Sequence, residues 1–350
     1  MRATGQNRAA VMNDVARLAG VSHQTVSRVL NDHPSVSPAT RQRVLDAVRQ
    51  LNYRPNAMAR GLAGRRSRVV GVVSFDTILY GPASTLLGIE RAARAAGYGV
   101  SIVTLERVDH AGMISALSAL ADQSVAGVVV IAPQTAAAAA LHNMPLGMAA
   151  VAVESDVGGE IPAISVDQVT GARLAVRHLL ELGHRKVWHL SGPRDWLETH
   201  GRIEGWRATL EEAGLPAPRL MTGDWGARSG YLAGLELAAG VGRGGDEVTA
   251  VFAANDQMAL GMMRAFHERG IRVPDDVSIV GFDDIPEAEF LSPPLTTIRQ
   301  DFDEVGRRCI AALLRVIEAD LPEGPDRPEP DPRVAPELIL RRSTAAPRSS

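Results

Sequence analysis

One cysteine, Cys309, is the only thiol in 350 residues. An internal disulfide is excluded, and no cysteine cluster exists to hold zinc. Cys309 itself reads as a small buried apolar side chain. No uncharged apolar run reaches the roughly 18 residues that a membrane-spanning helix needs. The segment from Met1 to Ala10 is polar and contains Arg, with no apolar stretch ahead of a cleavage site, so no secretory signal is read and a cytoplasmic location is expected. Lysine is nearly missing too, because Lys186 is the only one. In a chain rich in Ala, Gly and Pro this usage points to GC-rich coding, and the choice of Arg over Lys carries no functional information.

The placement of charge does carry information. Residues 1–68 hold twelve Arg against Asp14, Asp32 and Asp46, a balance of +9. The whole chain has a formal charge of -3, so the remaining residues carry -12. A basic head on an acidic body fits a phosphate-binding module joined to a domain that does not touch nucleic acid. With 45% hydrophobic and 22% charged residues the chain is globular, and its length suits two or three domains.

In the head, Met12, Val15, Ala16 and Ala19 recur at helical spacing, and Gly20 ends that helix as a C′ glycine. Ser22 is placed to cap a second helix, Ser22 to Asn31, with Val26, Val29 and Leu30 inward. A turn this tight makes the two helices cross steeply, which is helix-turn-helix geometry. Ser37-Pro38 opens a third helix, whose Val44, Leu45, Val48 and Leu51 are expected to close a small core. His23, Gln24, Thr25, Ser27 and Arg28 remain on the outer face of the second helix. Gln can pair with adenine and Arg with guanine, each contributing about 1–3 kcal/mol of base discrimination. A merely solvated polar face is the alternative, and the charge of the head weighs against it.

The run Asp14-Val-Ala-Arg-Leu-Ala-Gly-Val-Ser-His-Gln-Thr-Val-Ser-Arg-Val-Leu-Asn31 resembles the headpiece of the LacI/GalR family of transcription regulators. The resemblance implies that His23, Gln24 and Arg28 read bases, while Ser22, Thr25, Ser27 and Asn31 lie at or near the DNA backbone. Val11 stands where the family usually has Thr, which removes a capping hydroxyl and a phosphate contact. The stretch Asn52-Tyr-Arg-Pro-Asn-Ala-Met-Ala-Arg-Gly-Leu-Ala-Gly64 carries a second part of the resemblance. It implies a hinge helix that contacts DNA through Ala59 and Leu62, with Leu62 wedged into a central base step. So short a helix with Gly61 inside it is expected to order only on DNA.

From Val69 onward, β-branched runs at 69–75, 99–105, 126–132, 149–154, 187–191, 249–253 and 277–281 alternate with amphipathic stretches. Helices are read at 84–96, 111–121, 168–182, 203–213, 227–239 and 256–269, and Ala136–Ala140 is a helical alanine run. Such alternation means parallel sheets with right-handed crossovers, and ligands sit beyond the carboxyl ends of the strands. The fold class is α/β: an all-α helix-turn-helix headpiece, then a two-lobed, periplasmic-binding-protein-like body of Rossmann-like parallel sheets. The expected divisions are a headpiece at 9–55, hinge helix and linker at 56–66, and an effector-binding and dimerisation domain at 68–342. Within that domain, lobe 1 takes 68–166 and 302–330, and lobe 2 takes 167–298 and 331–342; a Pro-rich loop covers 321–333 and a disordered tail 343–350.

Polar residues cluster after the strands: Glu154, Asn255-Asp256, Asp283-Asp284 and Gln300, with Arg202 and Trp225 in intervening loops. Carboxylates and amides suit paired hydroxyls, and an aromatic face covers the apolar side of a pyranose. Acidic residues there are also common helix N-caps, and that alternative stays open for Asp256 and Asp284. The runs Arg202-Ile-Glu-Gly-Trp206, Gly223-Asp-Trp225, Asn255 to Ala265 and Pro293 to Phe302 extend the family resemblance through nearly the whole chain. It implies that Arg202, Asn255, Asp283 and Gln300 hydrogen-bond an effector, Trp225 and Phe302 pack its ring, and Leu79 and Pro82 form an apolar wall. On the first lobe Glu154, Phe75 and Ile131 replace an expected Asp, Ser and Asn, so this side is more apolar. The implied effector is a sugar, a galactoside-like inducer, with a corepressor or a different glycoside as alternatives.

An enzyme is the first rival. Gly240-Val-Gly-Arg-Gly-Gly245 follows a helix instead of a strand and reads as a loop, and no nucleophile elbow, phosphate-binding loop or His-rich metal set is present. Neither catalytic residues nor a metal or cofactor are therefore expected, and His178 and His184 read as structural. A secreted transport protein would need a signal and no DNA-binding head. DNA binding without a ligand is disfavoured by the convergent polar set. The expected partners are double-stranded operator DNA, a small sugar and a second copy of the chain. The C-terminal heptad helix of a tetrameric family member has no counterpart after Ile339-Leu340, so a homodimer is expected.

Overall fold

A computed structural model describes residues 11–30, 33, 35–51, 67–75, 78–105, 109–142, 148–154, 161–242, 248–319 and 331–348. The chain divides into two units, 1–67 and 68–350. The expected hinge helix at 56–66 lies outside the described residues, as do Asn31, Ala59 and Leu62. None of the described helices is long and apolar enough to cross a membrane.

The first unit has three helices, α1 (Met12–Ala19), α2 (His23–Leu30) and α3 (Pro38–Gln50). Val11 offers no side-chain acceptor at the start of α1, but Asp14 Oδ2 accepts the Val11 N–H at 2.9 Å and holds the turn from the other side. Gly20 sits at φ 64°, the left-handed conformation that ends a helix. Ser22 Oγ accepts the Thr25 N–H at 3.1 Å, and Ser37 Oγ accepts the Thr40 N–H at 3.3 Å, so both expected caps form. Val15, Ala16, Ala19, Val26, Val29, Val44 and Ala47 are buried together. Leu45 was expected among them and is instead exposed: on α3 the inward stripe runs through Val44, Ala47 and Val48.

The second unit opens with β1 (Val69–Phe75), α4 (Tyr80–Ala95), β2 (Gly99–Leu105), α5 (His110–Asp122) and β3 (Gly127–Ile131). It continues through α6 (Thr135–His142), β4 (Ala150–Val153), β5 (Ala163–Val166), α7 (Gln168–Glu181), β6 (Val187–Ser191) and α8 (Leu197–Glu212). Then come β7 (Met221–Thr222), α9 (Ala227–Ala238), β8 (Ala250–Ala253), α10 (Asp256–Glu268), β9 (Ser278–Val280) and β10 (Thr297–Arg299). The chain closes with α11 (Phe302–Ala319), β11 (Arg333–Val334) and β12 (Glu337–Ile339). Two parallel sheets result, in the orders β11-β5-β4-β3-β1-β2 and β7-β6-β8-β9, with β10 and β12 as an antiparallel pair. Strands fully buried on both faces, such as β3 and β4, are what a parallel sheet covered by helices requires.

Several boundaries differ from those read in the sequence. Helices α4 and α8 begin at Tyr80 and Leu197, a turn or more before the expected 84 and 203. The 18-residue α11 was not read as a helix at all, although Val305, Cys309, Ile310, Leu313 and Leu314 form its buried stripe. The assignment of 331–342 to the second lobe needs division. Arg333 and Val334 pair with Ser165 and Val166 of the first sheet, which also moves Arg333 out of the Pro-rich loop, while β12 pairs with β10.

The disordered tail expected from 343 is a further correction. Ser343 is buried, and its Oγ donates to Ile279 O at 2.6 Å and accepts the Thr296 N–H at 2.8 Å. Ser343 O accepts the Ile279 N–H at 2.8 Å, so the tail lies along β9 at the edge of the second sheet. His184 bonds Ser278 Oγ and Ala345 O, and His178 bonds Thr344 Oγ1, which gives both histidines the structural use expected of them. Ser343→Ala strands two buried backbone groups, and each such loss costs about 1–3 kcal/mol. A lower urea midpoint is expected, and an unchanged midpoint would show that the Ser343 hydroxyl contributes nothing.

Candidate functional site

On α2, Ser22, His23, Gln24 and Arg28 are exposed, whereas Thr25 and Ser27 are half-buried. The Ser22 hydroxyl is shared between the cap and Thr25 Oγ1 at 2.9 Å, which fixes it at the start of the helix. His23, Gln24 and Arg28 thus form a polar face at and just behind the N-terminal end of the helix, opposite the buried Val26 and Val29. Such a face can enter a major groove.

In the second unit one cleft gathers residues from the carboxyl ends of both sheets. Leu79, Pro82, Glu154, Arg202, Trp225, Asn255, Asp283, Gln300 and Phe302 all line it, as does Ile131. Phe75 does not; half-buried at the end of β1, it packs against the core on one face of the first sheet and against the second-lobe core that contains Trp196 and Trp225. The polar heart of the cleft is a ring of buried side chains. Arg202 Nε donates to Gln168 Oε1 at 2.9 Å, Gln168 Nε2 to Gln300 Oε1 at 3.0 Å, and Gln300 Nε2 to Asp283 Oδ1 at 2.7 Å. Arg202 Nη2 lies 3.8 Å from Asp283 Oδ1 and closes the ring. Arg202 Nη1 also donates to Ala254 O, and the guanidinium lies 3.8 Å from the centre of the Phe282 ring. A linked polar network of this kind holds its members in one geometry.

The apolar side is aromatic. Trp225 meets Trp196 edge-on at 5.5 Å, and Tyr80 meets Phe302 edge-on at 5.9 Å. Trp225 adopts φ 69°, and its ring lies so close over Gly192 that an added Cβ would stand 2.2 Å from it. Asn255 lines the cleft but spends its side chain locally: Oδ1 accepts the Met258 N–H at 3.0 Å, and Nδ2 reaches Trp225 O and Gln257 Oε1, both at 3.0 Å. Its work is to cap α10 and hold Trp225. Asp256 and Asp284 are structural as well. Asp256 takes Thr297 Oγ1 at 2.5 Å and the Ile285 N–H at 2.9 Å, and Asp284 pairs with Arg299 and Arg341.

Burial raises the carboxylates of the cleft. Asp283 is pushed up to about 6 by burial, against the pull of Arg202 and Gln300. Glu154 is raised by burial, against the Val166 N–H that donates to it at 3.1 Å. Glu198, on the first turn of α8, is raised by burial and by the charge of Glu154. Burial likewise pushes the Cys309 thiol up, so the one cysteine is an inert part of the first core.

Sequence reasoning did not find Gln168, Tyr80, Trp196, Glu198 or Gln257. Gln168 opens α7 directly after its cap, Asp167, and nothing in a helix-start pattern sets a residue that bonds the cleft side chains Arg202 and Gln300 apart from a solvated one. The late start read for α8 hid Trp196 and Glu198, although a Trp six residues ahead of Arg202 is an available signal.

The description "Bacterial regulatory proteins, lacI family" matches residues 11–56, and "Periplasmic binding protein-like domain" matches 176–344. The lactose operon repressor of Escherichia coli (strain K12) is 35% identical over 343 residues, 96% of this chain and 91% of that one. The crystal structure of the Lac repressor dimer bound to operator and the anti-inducer ONPF covers 97% of this chain and 100% of its own, with a TM-score of 0.86 at 33% identity. The complex of the transcriptional regulator CelR with cellobiose has a TM-score of 0.66 at 30% identity, covering 95% and 99%. With its helix-turn-helix head, its two parallel sheets and this degree of identity, the chain belongs to the lacI family of bacterial regulatory proteins.

Proposed function

We propose that this DNA-binding repressor acts in the cytoplasm as a homodimer on a pseudo-palindromic operator, and releases it when a galactoside-like sugar fills the cleft. His23, Gln24 and Arg28 read bases, Ser22, Thr25, Ser27 and Asn31 hold the backbone, and Ala59 and Leu62 of the hinge contact the minor groove. The carrying observation is the buried polar ring of Arg202, Gln168, Gln300 and Asp283 at a cleft that Trp225 and Phe302 also line, with the Arg202 guanidinium 5.4 Å from the centre of the Trp225 ring. Polar groups beside aromatic faces suit the mixed polar and apolar surface of a pyranose. An effector shifts the operator equilibrium only by its different affinity for the two states of the protein, so the cleft must differ between them.

A larger glycoside is the second reading, favoured by Ile131 and Trp196, which extend the apolar lining. Operator fragments selected from a random pool, then titrated with a panel of galactosides, glucosides and cellobiose, test both. Release by a galactoside is expected. Tighter operator binding with sugar would make the ligand a corepressor, and indifference to every glycoside would refute the sugar reading.

A further inference from the structure

The two lobes are tied together at a place other than the three crossings of the chain. Gln134, after β3, and Trp196, after β6, form an antiparallel bridge between the loops that leave the two sheets. The Leu197 N–H donates to Pro133 O at 2.8 Å, and the Thr135 N–H donates to Asp195 O at 3.0 Å. Leu197 and Thr135 are the first residues of α8 and α6, and a first-turn N–H has no partner inside its own helix. Each helix thus gives its free donor to a carbonyl just ahead of the other helix.

The crossings follow β5, β10 and β11. In the first sheet β3 stands two strands in from β5, and in the second β6 stands two strands in from β9, which bridges to the β10 segment. With strands about 4.8 Å apart, the bridge acts about 10 Å from the crossings. A rotation of the lobes by about 5° in the opening direction stretches its bonds by about 0.9 Å, past the reach of a hydrogen bond. The bridge is therefore made in one lobe position and broken in another. Trp196 connects it to the cleft. The Trp196 ring sits in the apolar core of the second lobe, meets Trp225 and lines the cleft, while its backbone is paired to the first lobe. Pro133, whose carbonyl accepts one of the bonds, lines the cleft from the first lobe.

We propose that the Gln134–Trp196 bridge is a latch that fixes the spacing of the lobes at the rim and, through Trp196, ties that spacing to effector occupancy. A ligand seated against Trp196 favours the made latch, and the made latch slows the ligand's escape; the two effects are equal in free energy. The coupling rests on the reading of the cleft as a sugar site, whereas the latch itself does not. Leu197→Pro isolates it. Proline is favoured at the first position of a helix, and Trp196 at φ -100°, ψ 133° already has the extended backbone that a residue before proline requires.

The test is amide hydrogen exchange on the full chain, read residue by residue, with and without methyl β-galactoside. In the wild type the Thr135 amide is expected to exchange about ten-fold more slowly than an unpaired one, the scale of two paired bonds, and more slowly again with sugar bound. Leu197→Pro is expected to restore fast exchange at Thr135 and to weaken the sugar about two- to ten-fold, through faster release. Leu197→Ala keeps the N–H and should bind sugar as the wild type does. Fast exchange at Thr135 in the wild type would overturn the proposal, as would protection that bound sugar leaves unchanged. Wild-type affinity in the Leu197→Pro protein, or equal weakening by Leu197→Ala, would overturn it too. Should Leu197→Pro not fold, Thr135→Pro removes the other bond and is held to the same outcome for sugar affinity. If neither methyl β-galactoside nor cellobiose binds, the sugar reading falls, and the latch stands or falls with the Thr135 amide of the free chain.

Discussion

Asp283→Asn is expected to weaken effector binding by roughly ten- to hundred-fold, the range that follows from losing a charge-assisted hydrogen bond of about 1.5–3 kcal/mol in a buried site. Asn is the informative substitution because Asp283 sits at φ 107°, a positive φ that Asn tolerates better than most side chains. Asn can also keep the acceptor for Gln300 Nε2, now 2.7 Å away, so the shape of the ring survives while its charge is lost. Arg202 would then be left with the fields of Glu198, Glu154 and Asp256, and its fork would lose the carboxylate 3.8 Å from Nη2. The effector concentration needed for half-release of operator is the measurement. Lost operator binding in the absence of effector would mark Asp283 as a structural group instead.

The second large effect is on stability. Helices α4 and α11 cross where Gly88 meets Phe302 and Gly306 meets Gly88. A Cβ on Gly88 would lie 2.2 Å from Phe302 O, and one on Gly306 would lie 2.2 Å from the Gly88 carbonyl carbon. Both obstacles are backbone, which cannot rotate away. In an open helix, Gly→Ala stabilises by about 1 kcal/mol through propensity. Here the clash outweighs that gain, and Gly88→Ala is expected to cost about 3 kcal/mol or more, at the upper end of overpacking penalties. The crossing also sets the cleft wall, because Tyr80 and Phe302 stand at the first residues of the two helices. Urea unfolding and effector titration should therefore fail together. Increased stability would mean that the helices can part at no cost.

The local sequence was enough for the head. Its helices are short, their apolar residues recur at i, i+3 and i+4, and Gly20, Ser22 and Ser37 punctuate them, so neighbours in sequence are the neighbours that decide the structure. The alternation of strand and helix is equally plain, and by itself it places Asp283, Asn255 and Glu154 after strands. Which of these residues face the ligand is another matter. Asn255 and Asp256 look alike in sequence, yet Asp256 is locked onto Thr297 and Ile285, and Asn255 is absorbed in holding Trp225.

The tertiary structure decided the rest. The central pair of the ring, Gln168 and Gln300, is 132 residues apart, and no local pattern connects them. The tail from Ser343 has no propensity for order. It becomes ordered because the edge of the second sheet at β9 offers unpaired backbone groups, and an edge strand takes whatever chain can pair with it. What the sequence determined by itself was the kind of molecule, a DNA-reading head on a two-sheet sensor, because charge, periodicity and punctuation are local. The occupant of the cleft depends on side chains that meet only when two sheets and three crossings of the chain bring them together.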